Sequence, residues 1–273
     1  MQPFELFKKT PQSNCGRCGY PACLAFAAAV CKGGEDPAKC PDLEVADLGL
    51  DRGGEVSLEA LPGQRVLELV THLQSKIAQL SLAELAAPLG CESAAAGDGE
   101  VLRFSYLGQP VELGRAGILL AGAEPEDHRD QILLYNYICC RGGAPPSHDW
   151  VGLESLPNTI SKVRTLATYC EQPLAALFAD HPQKAVQAAC RAMGGQPWPE
   201  AAADLAMIIP VLPRLPLAVL FWAAAPEDGF AARAKVLFDR RVLDFLDVES
   251  LVFAAERMAE RLGQLLAESR AGK

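Results

Sequence analysis

Four cysteines near the start of the chain limit what this sequence can fold into more than any other feature. They stand at Cys15, Cys18, Cys23 and Cys40, in the pattern C-x2-C-x4-C-x16-C, with Pro41 directly after the last. A segment this short cannot bury enough apolar surface to hold itself together, so a cofactor or cross-link has to supply the missing stability. The opening MQPFELFKK mixes charges and leads into no apolar run, unlike a secretory leader, so a cytoplasmic setting with reduced thiols is expected. Clustered thiols in that setting point to metal before disulfide.

The spacing leaves two metal centres open. Four thiolates can close around a cubane of iron and sulfide, or around one tetrahedral zinc. Zinc ribbons usually pair two C-x2-C knuckles, whereas here the second half is a lone Cys40 followed by proline, a step also found in bacterial ferredoxins. The pattern therefore favours iron–sulfur over zinc, with plain buried thiols and a disulfide framework behind both. Gly16 and Gly19 supply permissive backbone for the tight wrap and let N–H groups approach sulfur. Pro21 suits the first position of a helix that would carry Cys23 in its opening turn and end at Gly33-Gly34. Asp36-Pro37 would start the turn that brings Cys40 back.

The residues Asn14, Cys15, Gly16, Cys18, Gly19, Pro21, Cys23, Phe26 and Ala27, with Cys40-Pro41 behind them, form a specific motif of about 40 residues. In it the segment resembles the small four-cysteine module of the corrinoid iron–sulfur protein of the acetyl-CoA synthase/CO dehydrogenase system. Related modules occur in membrane electron-transport complexes. The resemblance implies one [4Fe-4S] cluster held by Cys15, Cys18, Cys23 and Cys40. The corrinoid-binding domains of that relative are missing, so its cobalt chemistry is not carried over. Cys31 lies outside the four-ligand pattern.

The remainder reads as a larger mixed domain. Of 273 residues, 50% are hydrophobic, enough for a sizeable core. The net charge of −9 argues against a general nucleic-acid binder. Almost all of the negative charge lies downstream of residue 43, the first segment being nearly balanced. The apolar stretch Leu205 to Ala225 is long enough to span a bilayer, but Pro210, Pro213, Arg214 and Pro216 interrupt it, so two buried strands around a turn are expected, with no membrane insertion.

Helical spacing appears over Gln64 to Leu89, Asp130 to Cys140, Pro157 to Phe178, Gln183 to Met193 and Val248 to Leu266, the last with Asp247 as its cap. A hairpin is expected over Val101 to Leu113 and a strand over Lys235 to Phe238, with Ala94 to Gly99 a small-residue loop. The irregular order of strands and helices favours α+β. The expected fold is thus a small Cys-rich helical iron–sulfur domain (1–46), a linker and connecting helix (47–80), and a larger α+β domain with an antiparallel sheet (81–268).

This second part resembles an uncharacterised domain family of anaerobic bacteria and archaea, often fused behind such a module. The resemblance rests on Phe104-Ser105-Tyr106-Leu107-Gly108, Leu133-Leu134-Tyr135-Asn136-Tyr137 before Gly142-Gly143, His148-Asp149-Trp150-Val151, and Leu212-Pro213-Arg214-Leu215-Pro216 leading to Trp222. It brings no established activity.

Outside the four cysteines no residue is singled out as catalytic. No phosphate-loop, dinucleotide or nucleophile-elbow motif occurs. Cys139-Cys140 would point about 100° apart on a helix and are expected in a core or semi-buried role. Cys91, Cys170 and Cys190 read as small apolar residues, and His72, His128 and His181 as surface positions without metal spacing. The loop Gly142 to Trp150 could rim a ligand, though an anchoring Trp150 beside a solvated His148 is the favoured reading. Arg240-Arg241 is expected to be solvated.

Taken together, the expected function is a one-electron carrier or redox accessory protein serving a partner enzyme in anaerobic metabolism. The alternatives are a cluster-stapled structural or oxygen- or iron-sensing protein, or an enzyme whose small molecule or cofactor binds in the second domain.

Overall fold

A computed structural model of the chain describes residues 3–20, 22–31, 37–43, 63–96 and 99–271. The chain divides into two compact units, Met1–Val66 and Leu67–Lys273. The linker region 44–62, Pro21 and the Gly33-Gly34 helix stop lie outside the described residues.

The first unit carries two helices, α1 (Pro3–Lys9) and α2 (Cys23–Cys31), and a 3-10 turn at Pro37–Lys39. Among the described residues its core holds Leu6, Phe26, Ala27, Val30, Cys40 and Leu43, with Phe7, Cys18 and Tyr20 packed against them. Phe26 and Ala27 sit on one face of α2, while Leu24, one residue into the helix, is 46% exposed. A core of this size stabilises a chain only weakly.

The second unit is mixed α+β. After α3 (Gly63–Ile77) and α4 (Leu82–Leu89) comes a four-stranded antiparallel sheet of β1 (Glu92–Ala96), β2 (Gly99–Tyr106), β3 (Gln109–Gly114) and β4 (Gly117–Leu120) in sequential order. Helix α5 (His128–Cys139) follows, then β5 (Trp150–Gly152), α6 (Ile160–Leu166), α7 (Gln172–Ala179) and α8 (Gln183–Ala192). A second antiparallel sheet has the order β5-β9-β8-β7-β6, from β6 (Gln196–Pro197), β7 (Leu205–Leu212), β8 (Leu215–Trp222) and β9 (Arg233–Asp239). The long α9 (Val248–Ala271) closes the unit.

The apolar stretch from Leu205 is the hairpin β7–β8, turning at Pro213-Arg214. Most of its residues are buried because the hairpin lies inside its sheet and α7 and α8 pack on it. Among the described residues no helix is long and apolar enough to cross a membrane. Asp247 caps α9 as expected, its carboxylate accepting from the Ser250 N–H at 2.9 Å.

Two expectations need correction. The small-residue segment Ala94 to Gly99, read as a loop, enters β1 and the start of β2, although residues 97–98 lie outside the described residues. Three alanines carry no strand signal of their own; cross-strand pairing of Ala94 with Val101 and Ala95 with Glu100 overrides their propensity. The Pro157 to Phe178 helix is broken into α6 and α7 around a π-turn at Ala167–Glu171. That turn aims Glu171 at β9, where its Oε1 accepts from the Val236 N–H at 3.0 Å, beyond the end of the short β5.

Two joints hold this unit together. Helix α5 meets α9 through Asp130, which is 5% exposed and accepts both Nε and Nη2 of Arg257 at 2.8 and 2.7 Å, as well as the Tyr106 hydroxyl at 2.7 Å. Burial and the neighbouring Asp130 charge raise the Tyr106 phenol well above its usual range, so it stays a donor.

The second joint is Tyr137. Its hydroxyl donates to the Leu89 carbonyl at 2.6 Å and accepts from the Arg214 N–H at 3.2 Å, tying the end of α4 to the β7–β8 turn. Tyr137→Phe removes both bonds and strands two backbone groups. A destabilisation of about 1–3 kcal/mol is expected in denaturant unfolding; an unchanged midpoint would show that the joint carries no load.

Candidate metal centre

The first two cysteines lie on a loop that turns back on itself. Gly16 and Gly19 take left-handed φ values of +72° and +86°, and the Gly19 N–H bonds the Gly16 carbonyl at 2.9 Å. Asn14 is also left-handed, at +51°, which its short polar side chain tolerates. The conformation puts the Asn14 amide against the start of α2. Its Oδ1 accepts from the Cys23 N–H at 2.8 Å, and its own N–H points at Cys23 Sγ at 3.4 Å. Asn14 therefore caps a helix that begins nine residues later, satisfying one of its open donors. The sequence pattern contains Asn14 but does not reveal this role, because the partners are separated by a loop whose path is set by backbone φ.

Cys23 and Cys40 are buried at 6% and 5% exposure, Cys18 is half-buried and Cys15 is exposed. Cys40 follows the 3-10 turn, its N–H bonding Pro37 O at 3.3 Å, and sits in the same small core against which Cys18 packs. Arg17 connects the remaining pieces. It forms an ion pair with Asp42, bonds the Cys15 sulfur, and lies near enough to Cys40 for their charges to interact. Hydrogen bonds from the Arg17 backbone, then its guanidinium, then Ser13 lower the Cys15 thiol to about 7. A thiol in that range is about half thiolate at neutral pH, and the thiolate is the form that binds metal.

Cys18 and Cys40 thus share the small core, Arg17 pairs with Asp42 two residues beyond Cys40, and Asn14, next to Cys15, binds Cys23. None of the four is in a disulfide. Among the described residues no three His, Cys, Asp or Glu side chains gather tightly enough to share one metal ion. A cubane makes a different demand from a single ion, since each thiolate meets its own iron and the four sulfurs stand apart around the cluster. Four thiols, two left-handed glycines and an N–H directed at sulfur suit such a donor set.

The other cysteines do not join them. Cys170 and Cys190 are fully buried, with Cys170 Sγ against the Ala255 carbonyl at 3.2 Å. Burial pushes the Cys91 and Cys190 thiols up to about 12, so both stay protonated. Cys139 is half-buried, but Cys140 is exposed rather than in the core. The Cys31 side chain lies outside the described residues. His72 is exposed as expected, whereas His128 and His181 are half-buried.

The loop before β5 is anchored. Asp239, 1% exposed, accepts from Ser147 Oγ and from the N–H groups of His148 and Arg241. Trp150 packs on Trp198 with ring centroids 5.8 Å apart, and the exposed His148 meets its edge. Arg240 and Arg241 are exposed as expected, and from the surface Arg240 pairs with Asp149 at 2.6 Å and Arg241 reaches the Pro145 carbonyl at 3.1 Å.

Residues 81–261, most of the second unit, match the model of a family described as "Domain of unknown function (DUF3786)". The chain belongs to that family. Residues 11–41, which include all four cysteines, match a second model, described as "Putative Fe-S cluster". One component of the ion-translocating oxidoreductase complex of Yersinia pestis is 40% identical over 82 residues, 30% of this chain and 40% of that protein. The gamma 2 component of an acetyl-CoA decarbonylase/synthase complex from Methanosarcina thermophila is 44% identical over 41 residues, 15% of this chain and 9% of that one. The chain thus matches well under half the length of these relatives. No solved structure matches. The expected resemblance to the four-cysteine module and to the uncharacterised domain family stands.

Proposed function

We propose that this DUF3786 protein is a one-electron carrier or redox accessory protein in which Cys15, Cys18, Cys23 and Cys40 hold one [4Fe-4S] cluster. The observation that supports it most is that all four cysteines fall in the segment matching the iron–sulfur model, where Cys18 packs on the core that holds Cys40 and Asn14 ties the Cys15 loop to Cys23. When bound, the cluster supplies one-electron oxidation and reduction over a wide range of potentials. The chain's residues do the rest. Asn14 fixes Cys23 and directs an N–H at its sulfur. The Leu6–Phe26–Val30 core keeps water from Cys40 and Cys18, while exposed Cys15 leaves one side open to a partner. In this reading residues 1–46 handle the electron, and residues 81–268 dock the partner enzyme or hold its ligand. The relatives named as parts of complexes support a protein partner, and an anaerobic, cytoplasmic setting fits an oxygen-sensitive cluster.

Anaerobic purification with iron and sulfide analysis, then a redox titration followed by EPR, tests the proposal. One cluster per chain with reversible one-electron reduction is expected. A redox-inert cluster would instead favour the reading in which it staples the fold, for which the small core of the first unit speaks. Arg17 gives a finer test. Its positive charge beside Cys15 and Cys40 stabilises the more negative, reduced state, so Arg17→Gln should lower the reduction potential. A potential that rises or stays put would remove Arg17 from this role.

A further inference from the structure

Asn14 makes two hydrogen bonds to a single residue. Its Oδ1 accepts from the Cys23 N–H at 2.8 Å, and its own N–H reaches Cys23 Sγ at 3.4 Å. The first bond caps a helix, whereas the second serves no helix. A thiol sulfur accepts weakly and a charged one strongly, so an N–H aimed at it acts on whatever negative charge that sulfur carries.

The aim depends on the backbone. Asn14 has φ +51°, a left-handed value that asparagine adopts more readily than most residues. Alanine at this position would favour an ordinary negative φ and turn the N–H away from Cys23. Asn14 is itself exposed and is no part of the core of the first unit, so replacing it reads hydrogen bonding rather than packing.

The surroundings of the sulfur add to the effect. Cys23 is the first residue of α2 and is buried. Its sulfur thus stands at the positive end of a helix and away from bulk water, where one N–H acts with little screening. The first turn of α2 contains no acidic residue to offset that field.

The residue type is informative as well. Aspartate caps helices as well as asparagine does, and the helix dipole favours the charged side chain. Helix stability alone therefore gives no reason for a neutral amide here. A carboxylate on the Cys23 N–H would, however, place negative charge beside a proposed cluster ligand and oppose reduction.

We propose that Asn14 is a positioning residue that raises the reduction potential of the cluster, its side chain locking the loop so that its N–H stays on Cys23 Sγ without added charge. The inference rests on the proposed ligation by Cys15, Cys18, Cys23 and Cys40. An electron taken from an external donor leaves part of its charge on the Cys23 sulfur, where the Asn14 N–H stabilises it.

Pulsed EPR of the full chain, purified anaerobically and reduced with dithionite, tests this directly. The sequence contains three asparagines, Asn14, Asn136 and Asn158, and only Asn14 belongs to the first unit. Protein made with asparagine carrying heavy nitrogen at its α position should show coupling of that nucleus to the cluster spin, and Asn14→Ala should lose it. In redox titrations, Asn14→Ala should lower the ratio of reduced to oxidised cluster at the parent's midpoint about threefold. Asn14→Asp keeps the cap, so its iron content and melting temperature should match the parent's. Its ratio should nonetheless fall about tenfold, a midpoint about 59 mV more negative for one electron. A residue that only capped α2 would leave that potential unmoved, and Asn14→Asp reads it even where Asn14→Ala loses its iron. Absence of nitrogen coupling in the parent chain, or an Asn14→Asp potential equal to or above the parent's, would overturn the proposal while a reducible parent cluster leaves the ligand set standing. A parent chain without a reducible cluster removes the redox reading and this inference together.

Discussion

Replacing Cys40 by alanine is expected to abolish the iron and acid-labile sulfide content of the protein and to unfold its first unit, while the second unit survives. Both effects follow from where Cys40 lies. It is a proposed cluster ligand and also, among the described residues, one of six that form the core of the first unit. Metal binding at small sites is folding free energy, on the order of 10 kcal/mol for structural zinc, far above what the core of a domain this short provides. Limited proteolysis should therefore degrade residues 1–66 rapidly in C40A and leave a fragment close to Leu67–Lys273. Cys31→Ala is the control, since Cys31 stands outside the four-ligand pattern and should keep its iron. Full iron in C40A, or equal loss in C31A, would remove Cys40 from the proposed ligand set.

The second large effect concerns Gly108. Leu107 and Gly108 form the two-residue turn between β2 and β3, both with left-handed φ, +51° and +76°. Such turns match the strand twist but require residues that tolerate positive φ. Leu107 is also buried. The Leu107 N–H bonds Val211 O at 3.0 Å, joining the two sheets, and a Cβ on Gly108 would stand 2.4 Å from the Ala192 carbonyl oxygen. Gly108→Val combines backbone strain of about 1–2 kcal/mol with an overpacking cost of about 1–3 kcal/mol against backbone that cannot swing away. A loss of about 2–5 kcal/mol is expected, lowering the melting temperature by roughly 5–15 °C in a unit of this size. A shift of less than about 2 °C would mean that the turn relaxes freely. Iron content should stay unchanged, because Gly108 belongs to the second unit.

These two sites differ in how far the sequence could be read. At the first, spacing, turn glycines and the proline after Cys40 all act over short distances along the chain, so the pattern itself announces the chemistry. What it hides is the hydrogen-bonded clamp of Asn14 on Cys23 and the span of Arg17 from Cys15 to Asp42, contacts across loops. At the second, Phe104 to Gly108 was legible as a family-like motif but not as a joint, because its partners Val211 and Ala192 lie about 80 to 100 residues away. The β1 strand escaped for a related reason. Alanines pair when a neighbouring strand supplies the ladder, and nothing local encodes that neighbour.

The amino-acid order alone determined the four-thiol pattern, the α+β class and most helices, since each is written in residue types repeated over a few positions. The folded chain decided which loop caps which helix and which partners Tyr106 and Tyr137 find across the core. Those outcomes depend on side chains brought together from distant positions, where packing and desolvation, rather than local propensity, set the free energy.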